Sequence, residues 1–267
     1  MAVSLTVLAS GSRGNTALVC SSTTRILVDA GISCRETFKR MKALGDDPHS
    51  ISAILITHEH SDHICGLATL AKKLRVPVYL TGATYQAWAR AMRDETGDPP
   101  ELHKLELFPV GRLFQIGDIV VLPFTIPHDA ADPVGFTFRA EGVKIGFATD
   151  LGYVPPSVRD HLRGCDVLLM ESNHDVEMLR VGPYPWSVKQ RVMSRVGHLS
   201  NDALADFFAN GYDGSAEYVV LAHLSEHNNH PDLARRAAER ALGPRRTLLR
   251  NRVLLAAQTA PLQPLCL

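Results

Sequence analysis

The sequence predicts an α/β fold in which two β-sheets pack together with helices on their outer faces. Three observations carry this. Two strand-rich stretches, one in residues 3–57 and one in residues 119–170, are each trailed by segments of helical spacing. The apolar runs are short and rich in β-branched residues, as in strands buried in a sheet. No repeat, low-complexity tract or long linker separates the two stretches.

Taken in order, Val3–Leu8, Ala17–Cys20 and Arg25–Asp29 read as strands divided by the turn-rich segments Ser10–Asn15 and Ser21–Thr24. Ser33 with Glu36 three residues on is a capping-box pattern, and Phe38, Met41 and Leu44 give the helix it opens one apolar face. Ala53–Thr57 is a buried-strand candidate, and after His58–Asp62 the spacing of Ile64, Leu67, Leu70 and Leu74 is helical. Strands follow at Ile119–Ile126, Val134–Arg139, Val143–Thr149 and Val167–Met170. Helices are expected near 185–195, 200–209 and 231–242, the last opened by Pro231 and Asp232, with a strand at Tyr218–Ala222.

A chain of 267 residues suits one domain or two small ones, with a core that needs no disulfide staples. Its 28 basic and 28 acidic residues cancel, which excludes a global positive field that would hold nucleic acid by bulk attraction. The basic residues are nonetheless skewed, 21 Arg to 7 Lys, and there are 12 His. Five scattered cysteines without a CxxC pair argue against disulfides and a thiolate zinc site, and fit a reducing compartment. With no signal-peptide pattern and no membrane-length apolar run, the expected location is the cytoplasm.

The strongest chemical signal is Thr57-His58-Glu59-His60-Ser61-Asp62-His63, directly after a buried strand. A rigid strand end followed by a turn lets imidazoles and a carboxylate converge on one point, a donor set suited to zinc or manganese. Further ligand types close later strands: His128, Asp150 and His223. Singly, each is more often a hydrogen-bonded structural residue; in series after HxHxDH they form a candidate binuclear ligand set, with Asp150 placed to bridge.

This series resembles that of the metallo-β-lactamase superfamily. The set narrows further: Ser10–Asn15, Val28–Gly31, Thr57–His63, Thr149–Gly152, Glu171–Asp175, Gly182–Trp186, Gly197–Asn201 and Leu221–Asn229 together resemble the bacterial YycJ/WalJ family. Arg13 departs from the smaller residue usual in the first of these motifs, which bears on access to the site. The resemblance implies a four-layer αββα sandwich, one metallo-β-lactamase-fold domain over residues 1–267, and a 5′→3′ exonuclease on duplex DNA linked to mismatch repair. It implies two divalent metals, one held by His58, His60, His128 and Asp150, the other by Asp62, His63, Asp150 and His223.

The mechanism expected is attack on phosphorus by a hydroxide activated by the two metals, with Asp62 orienting it. His198, in Gly197-His198-Leu199-Ser200, is the candidate proton donor, placed like the proton-donating histidine of the ribonuclease Z-like branch, and Glu171 the carboxylate that orients it. Ser200 and Asn201 begin a helix whose free amides suit a phosphate, and Lys189, Arg191 and Arg195 lie just upstream; a solvated helix face explains those three cations equally well. The same two readings apply to the Arg-rich run from Arg235 to Arg252. Asp29 is expected to brace the metal loops, with Ser12 and Asn15 of the first motif behind the site. Cys65 is expected to be small and buried, His227 and His230 to serve as cap and surface, and Trp186 with Tyr184 to pack as a plug rather than stack on a base.

Two other functions compete. A glyoxalase II-like thioester or lactone hydrolase shares THxHxDH but usually carries a Gly-His-Thr-Pro-Gly-type motif where this chain has Ile126-Pro127-His128-Asp129. A non-catalytic metal-binding regulator is weakened by the separate acid candidate His198. A β-CASP ribonuclease is excluded, because only 72 residues separate Asp150 from His223.

Overall fold

Most strands bury both faces, and alternate side chains enter different cores. In the computed structural model, which describes residues 3–98, 101–249 and 251–267 (backbone only over 244–249), Ile26 and Val28 face one core and Leu27 another. Leu168 and Met170 likewise part from Val167 and Leu169. This period of two explains why the strands read as continuous apolar runs.

The strands are β1 (Ser4–Ala9), β2 (Thr16–Cys20), β3 (Arg25–Val28), β4 (Ala53–Leu55), β5 (Pro77–Leu80), β6 (Lys104–Leu107), β7 (Phe114–Ile116), β8 (Ile119–Thr125), β9 (Val134–Ala140), β10 (Val143–Ala148), β11 (Val167–Glu171), β12 (Tyr218–Ala222), β13 (Arg252–Leu255) and β14 (Leu265–Cys266). They form two seven-stranded sheets, ordered β14-β1-β2-β3-β4-β5-β6 and β13-β12-β11-β10-β9-β8-β7. The helices are α1 (Cys34–Ala43), α2 (Ser61–Ile64), α3 (Leu67–Leu74), α4 (Gly82–Thr96), α5 (Pro156–Leu162), α6 (Val176–Val181), α7 (Trp186–Val192), α8 (Asn201–Asn210) and α9 (Pro231–Leu249).

Three cores make four layers. One lies between the sheets, including Leu5, Val28, Phe136, Phe138 and Val220. The second joins the outer face of the first sheet to α1, α3 and α4 through Phe38, Leu70 and Trp88. The third joins the second sheet to α5, α8 and α9 through Val158, Phe208 and Ala238. This is the expected αββα sandwich. Among the described residues no helix is long and apolar enough to cross a membrane.

Parallel pairing then places the chemistry. β3 and β4 are parallel neighbours, as are β10, β11 and β12, so their C-terminal ends share an edge within each sheet. Asp29, the Thr57–His63 loop, Asp150, Glu171 and His223 all sit at or just past those ends. Ser33 caps α1 as the capping box predicts, its Oγ accepting from the Glu36 amide (3.2 Å), but the Glu36 carboxylate turns to Arg40 Nε (2.9 Å) instead of back to Ser33. The helix expected after Asp62 is broken at Gly66, where a Cβ would lie 2.2 Å from the Ile32 carbonyl oxygen.

The C-terminal segment, in which no motif is visible, closes both sheets. β13 adds parallel to β12 and β14 antiparallel to β1. Between them, Gln258 accepts from the Arg13 amide (2.8 Å) and donates to the Gly14 carbonyl (3.0 Å), bracing the first glycine loop.

Gly31 is the tightest point behind the site: a Cβ there would lie 1.7 Å from the Asp62 carbonyl oxygen and 2.5 Å from the Asn15 amide. Backbone cannot yield as a flexible side chain does. Gly31→Ala is therefore expected to destabilise the fold by about 3 kcal/mol or more, the upper end of overpacking costs. Urea unfolding measures this; an unchanged midpoint would contradict the packing.

Candidate metal centre

Three residues of the site end their strands in a backbone conformation that most side chains avoid. Asp29 (φ 59°), Asp150 (φ 59°) and His223 (φ 55°) are three of only five non-glycine residues with positive φ among the described residues. Each such position costs about 1–3 kcal/mol and persists only where the surroundings fix it. The turn here directs each side chain back over the sheet edge.

The imidazoles are held from behind. His63 donates from Nδ1 to Asp29 Oδ2 (2.8 Å), His223 from Nδ1 to Glu171 Oε1 (2.8 Å) and His128 from Nδ1 to the Gly197 carbonyl (3.2 Å). His58 Nδ1 lies 3.0 Å from Thr57 Oγ1, whose hydroxyl also meets Asp29. Each outer nitrogen is thus occupied, and the other is turned inward, which is how metal-binding histidines are oriented. Inside, His63 Nε2 is 3.3 Å from Asp150 Oδ2, and His223 Nε2 is 3.2 Å from Asp62 Oδ2 and 3.4 Å from Asp150 Oδ1. His128 Nε2 and His60 Nδ1 face each other at 3.1 Å.

The donor set fits divalent cations. His58, His60 and His128 converge, as do His58, His63 and Asp150, and Asp62, His63 and His223, with ligand atoms in each group within 4.8 Å of one another. His58 Nε2 is buried with no hydrogen-bond partner, a deficit of about 1–3 kcal/mol, and buried Asp150 Oδ2 has no well-formed hydrogen bond beyond its contact with His63. His58 and His128 have pKa values lowered by burial and are ready as neutral donors. His63 and His223 are shifted the other way: burial opposes their charge, but Asp150, with Asp29 and Asp62 for His63 and with Asp62 and Glu171 for His223, raises both well above the usual range.

Glu171 ties the groups together. Its Oε1 accepts from His198 Nδ1 (2.8 Å) and His223 Nδ1; its Oε2 accepts from the Leu151 amide (2.9 Å) and the Leu199 amide (3.0 Å). Burial would raise its pKa, yet the imidazoles and these bonds hold it below the ordinary carboxylate range. His198 is raised in turn: burial opposes its charge, and the charge and hydrogen bond of Glu171 favour it. The cleft above, ≈ 330 Å³, is lined by Ser12, Asp62, Asp150, Tyr184, Arg191 and His198, among others.

Several expected roles change. Lys189 is buried, with Nζ donating to the Arg180 carbonyl (2.7 Å), and does not line a DNA track. Asn201 is buried too, its amide exchanged with Asn229 and Ser172 and so not free for phosphate, while Ser200 Oγ caps its own helix by accepting from the Ala203 amide (3.1 Å). Arg195 stacks on Tyr153 (4.4 Å). Arg191 remains at the cleft, paired with Asp129. Asn15 stands behind Asp62 as expected, Nδ2 to Oδ2 3.3 Å, whereas Ser12 lines the cleft itself instead of standing behind it. Cys65 is exposed rather than buried, and Trp186 is 63% exposed rather than a plug. His230 precedes α9, its Nδ1 accepting from the Asp232 amide (3.2 Å). Arg235, Arg236 and Arg240 occupy the exposed face of α9; the side chains of Arg245, Arg246 and Arg250 lie outside the described residues. Three supports were not foreseen: Thr57, Asn173, which donates to the His223 carbonyl (2.9 Å), and Ser10, whose Oγ accepts from the His223 amide (2.7 Å). Each lies in a quoted motif or beside a ligand, which is the signal that was there to use.

The family model described as the Beta-lactamase superfamily domain matches residues 24–224. The chain is 41% identical over 242 residues to the exodeoxyribonuclease YycJ of Bacillus anthracis, covering 91% of this chain and 90% of that one. This chain belongs to the YycJ/WalJ family of the metallo-β-lactamase superfamily. The exodeoxyribonuclease WalJ of Streptococcus pneumoniae (strain R6) is 37% identical, covering 85% of this chain and 84% of that one. The fold of this family member superposes on the metallo-β-lactamase fold protein YhfI of Bacillus subtilis with TM-score 0.71 at 17% identity, covering 97% and 99% of the two chains.

Two outcomes follow. Glu171→Gln removes the charge that four donors share, and is expected to weaken metal affinity or turnover by about 10–100-fold while the protein stays folded. Metal titration, turnover and circular dichroism check this, and unchanged affinity together with unchanged turnover would contradict it. Because the neighbouring carboxylates raise His63 and His223 well above the usual histidine range, and a metal ligand must give up its proton, metal uptake should release protons and weaken as pH falls. Calorimetry in buffers of different ionisation heat reads that release; a buffer-independent heat would refute it.

Proposed function

We propose that this chain is a metal-dependent exonuclease that degrades duplex DNA from the 5′ end and serves mismatch repair. The observation that carries the reading is Asp150, shared between two histidine-rich groups, with His198 held by Glu171 beside it at the cleft. Relatives 41% and 37% identical over most of the chain are named exodeoxyribonucleases, which supports nucleic acid as the substrate.

Two divalent ions, zinc or manganese, would be held by His58, His60, His128 and Asp150 and by Asp62, His63, Asp150 and His223. Their charge matches that of the four carboxylates gathered here (Asp29, Asp62, Asp150 and Glu171). When bound, such ions polarise a phosphodiester and lower the pKa of water. The chain's own groups do the rest. Asp62, steadied by Asn15 and His223, orients the attacking water. His198 anchors Nδ1 on Glu171, which leaves Nε2–H to protonate the leaving oxygen. Arg191 and Ser12, at the cleft wall, contact the flanking phosphate.

The test uses metal-stripped protein resupplied separately with manganese or zinc and offered 5′-phosphorylated duplex DNA, single-stranded RNA and a thioester. The expected result is release of mononucleotides from the duplex alone. Thioester cleavage without nucleic-acid degradation overturns the reading. Asp62→Ala should abolish turnover with the fold intact, and full activity in that variant refutes the site.

A further inference from the structure

The cleft supplies few cations for the phosphates beyond the one that reacts. Lys189 is spent on a carbonyl and Arg195 stacks on Tyr153, which leaves Arg191, shared with Asp129, for the flanking phosphate. The lysines, sparse in this sequence, gather elsewhere: four of the seven are Lys39, Lys42, Lys72 and Lys73. All four are exposed on α1 and α3. Between these helices runs a groove of ≈ 610 Å³, lined by Arg35, Lys39, Lys42 and Lys73 around Cys34 and Phe38.

The groove is joined to the metal centre by the chain itself. α1 follows β3 and the Asp29 turn; α3 follows β4 and the His58–His63 loop. Because β3 and β4 are parallel, both helices start at the site edge and run away from it side by side. The cations from Arg35 to Lys42 extend over about 10 Å of helix. Lys73 Nζ lies 4.8 Å over the Phe38 ring, which ties the two walls together. Glu36, the acid on this stretch of α1, is taken by Lys39 (3.6 Å) and Arg40 (2.9 Å). Arg35, Lys42 and Lys73 have no ion-pair partner among the described residues.

Resting on the exonuclease reading, we propose that the α1–α3 groove is a track for the phosphate backbone of the duplex, holding the DNA body while its end occupies the metal cleft. The local charge meets a need that the neutral chain as a whole does not, and Lys and Arg here neutralise phosphates without reading sequence.

The test compares manganese-loaded wild type with the triple variant Arg35→Ala/Lys42→Ala/Lys73→Ala and a control, Arg90→Ala/Arg93→Ala, which removes exposed cations of α4 outside the groove. Affinity is measured for a 5′-phosphorylated duplex of about 30 base pairs, protected by terminal phosphorothioates, between about 50 and 200 mM salt. The groove variant should bind at least about tenfold more weakly at the low-salt end, and its slope of log affinity against log salt should fall by about 0.9 per cation removed. The control should bind as the wild type does. Hydrolysis of bis-p-nitrophenyl phosphate, too small to reach the groove, reports an intact metal centre. Equal loss in both variants indicates a diffuse field and overturns the track, as does wild-type affinity and slope in the groove variant. A wild type that cleaves the small diester but neither binds nor degrades the duplex overturns the exonuclease reading, and the track with it.

Discussion

One buried carboxylate organises this molecule. Glu171 ends β11, an interior strand of the second sheet, fully buried, and accepts from two imidazoles and two backbone amides. Its partners come from three separate segments: Leu151 follows Asp150 beyond β10, Leu199 adjoins His198 in the loop between α7 and α8, and His223 closes β12. A buried charge is tolerated only when its lone pairs are used. Here their use fixes the orientation of His223, the loop of Asp150 and the imidazole of His198 together. Asp29 repeats the device on the first sheet, accepting from Thr57 and His63.

The sandwich explains why such charges can be held. Parallel strands bring strand ends to one edge of each sheet, and below that edge a large apolar cluster fills the space between the sheets. The strained turns at Asp29, Asp150 and His223 sit on that rigid floor, which has no freedom to relax them. Without metal, the inward-facing nitrogens and oxygens meet one another, as His63 Nε2 meets Asp150 Oδ2, and His58 Nε2 has no hydrogen-bond partner. Cation binding turns this deficit into coordination, so the structure is poised for it.

Much of this was legible in the sequence, for a physical reason. Strands buried on both faces announce themselves as apolar runs, and ligands that close strands announce their convergence by position, as at His58, Asp150 and His223. Contacts made by chemically ordinary residues were not legible. Lys189 reads as a surface cation, yet its stem packs and its amine finds the Arg180 carbonyl. Asn201 reads as a helix start open to phosphate, yet a buried amide network with Ser172 and Asn229 claims it. Gln258 and β14 carry no motif because both serve backbone partners, β14 as a paired strand and Gln258 through its side-chain amide, and sequence patterns are nearly blind to such contacts. The α1–α3 groove was hidden because its cations sit in two segments some thirty residues apart in sequence and meet only through the β3–β4 pairing.

The central claim is that two cations share Asp150 between the histidine groups. Crystals grown with manganese, with diffraction recorded on either side of the manganese absorption edge, test it most directly. The account predicts two anomalous peaks, one touching His58, His60 and His128, the other touching Asp62, His63 and His223, with Asp150 reaching both. A single peak, or peaks away from Asp150, would contradict it.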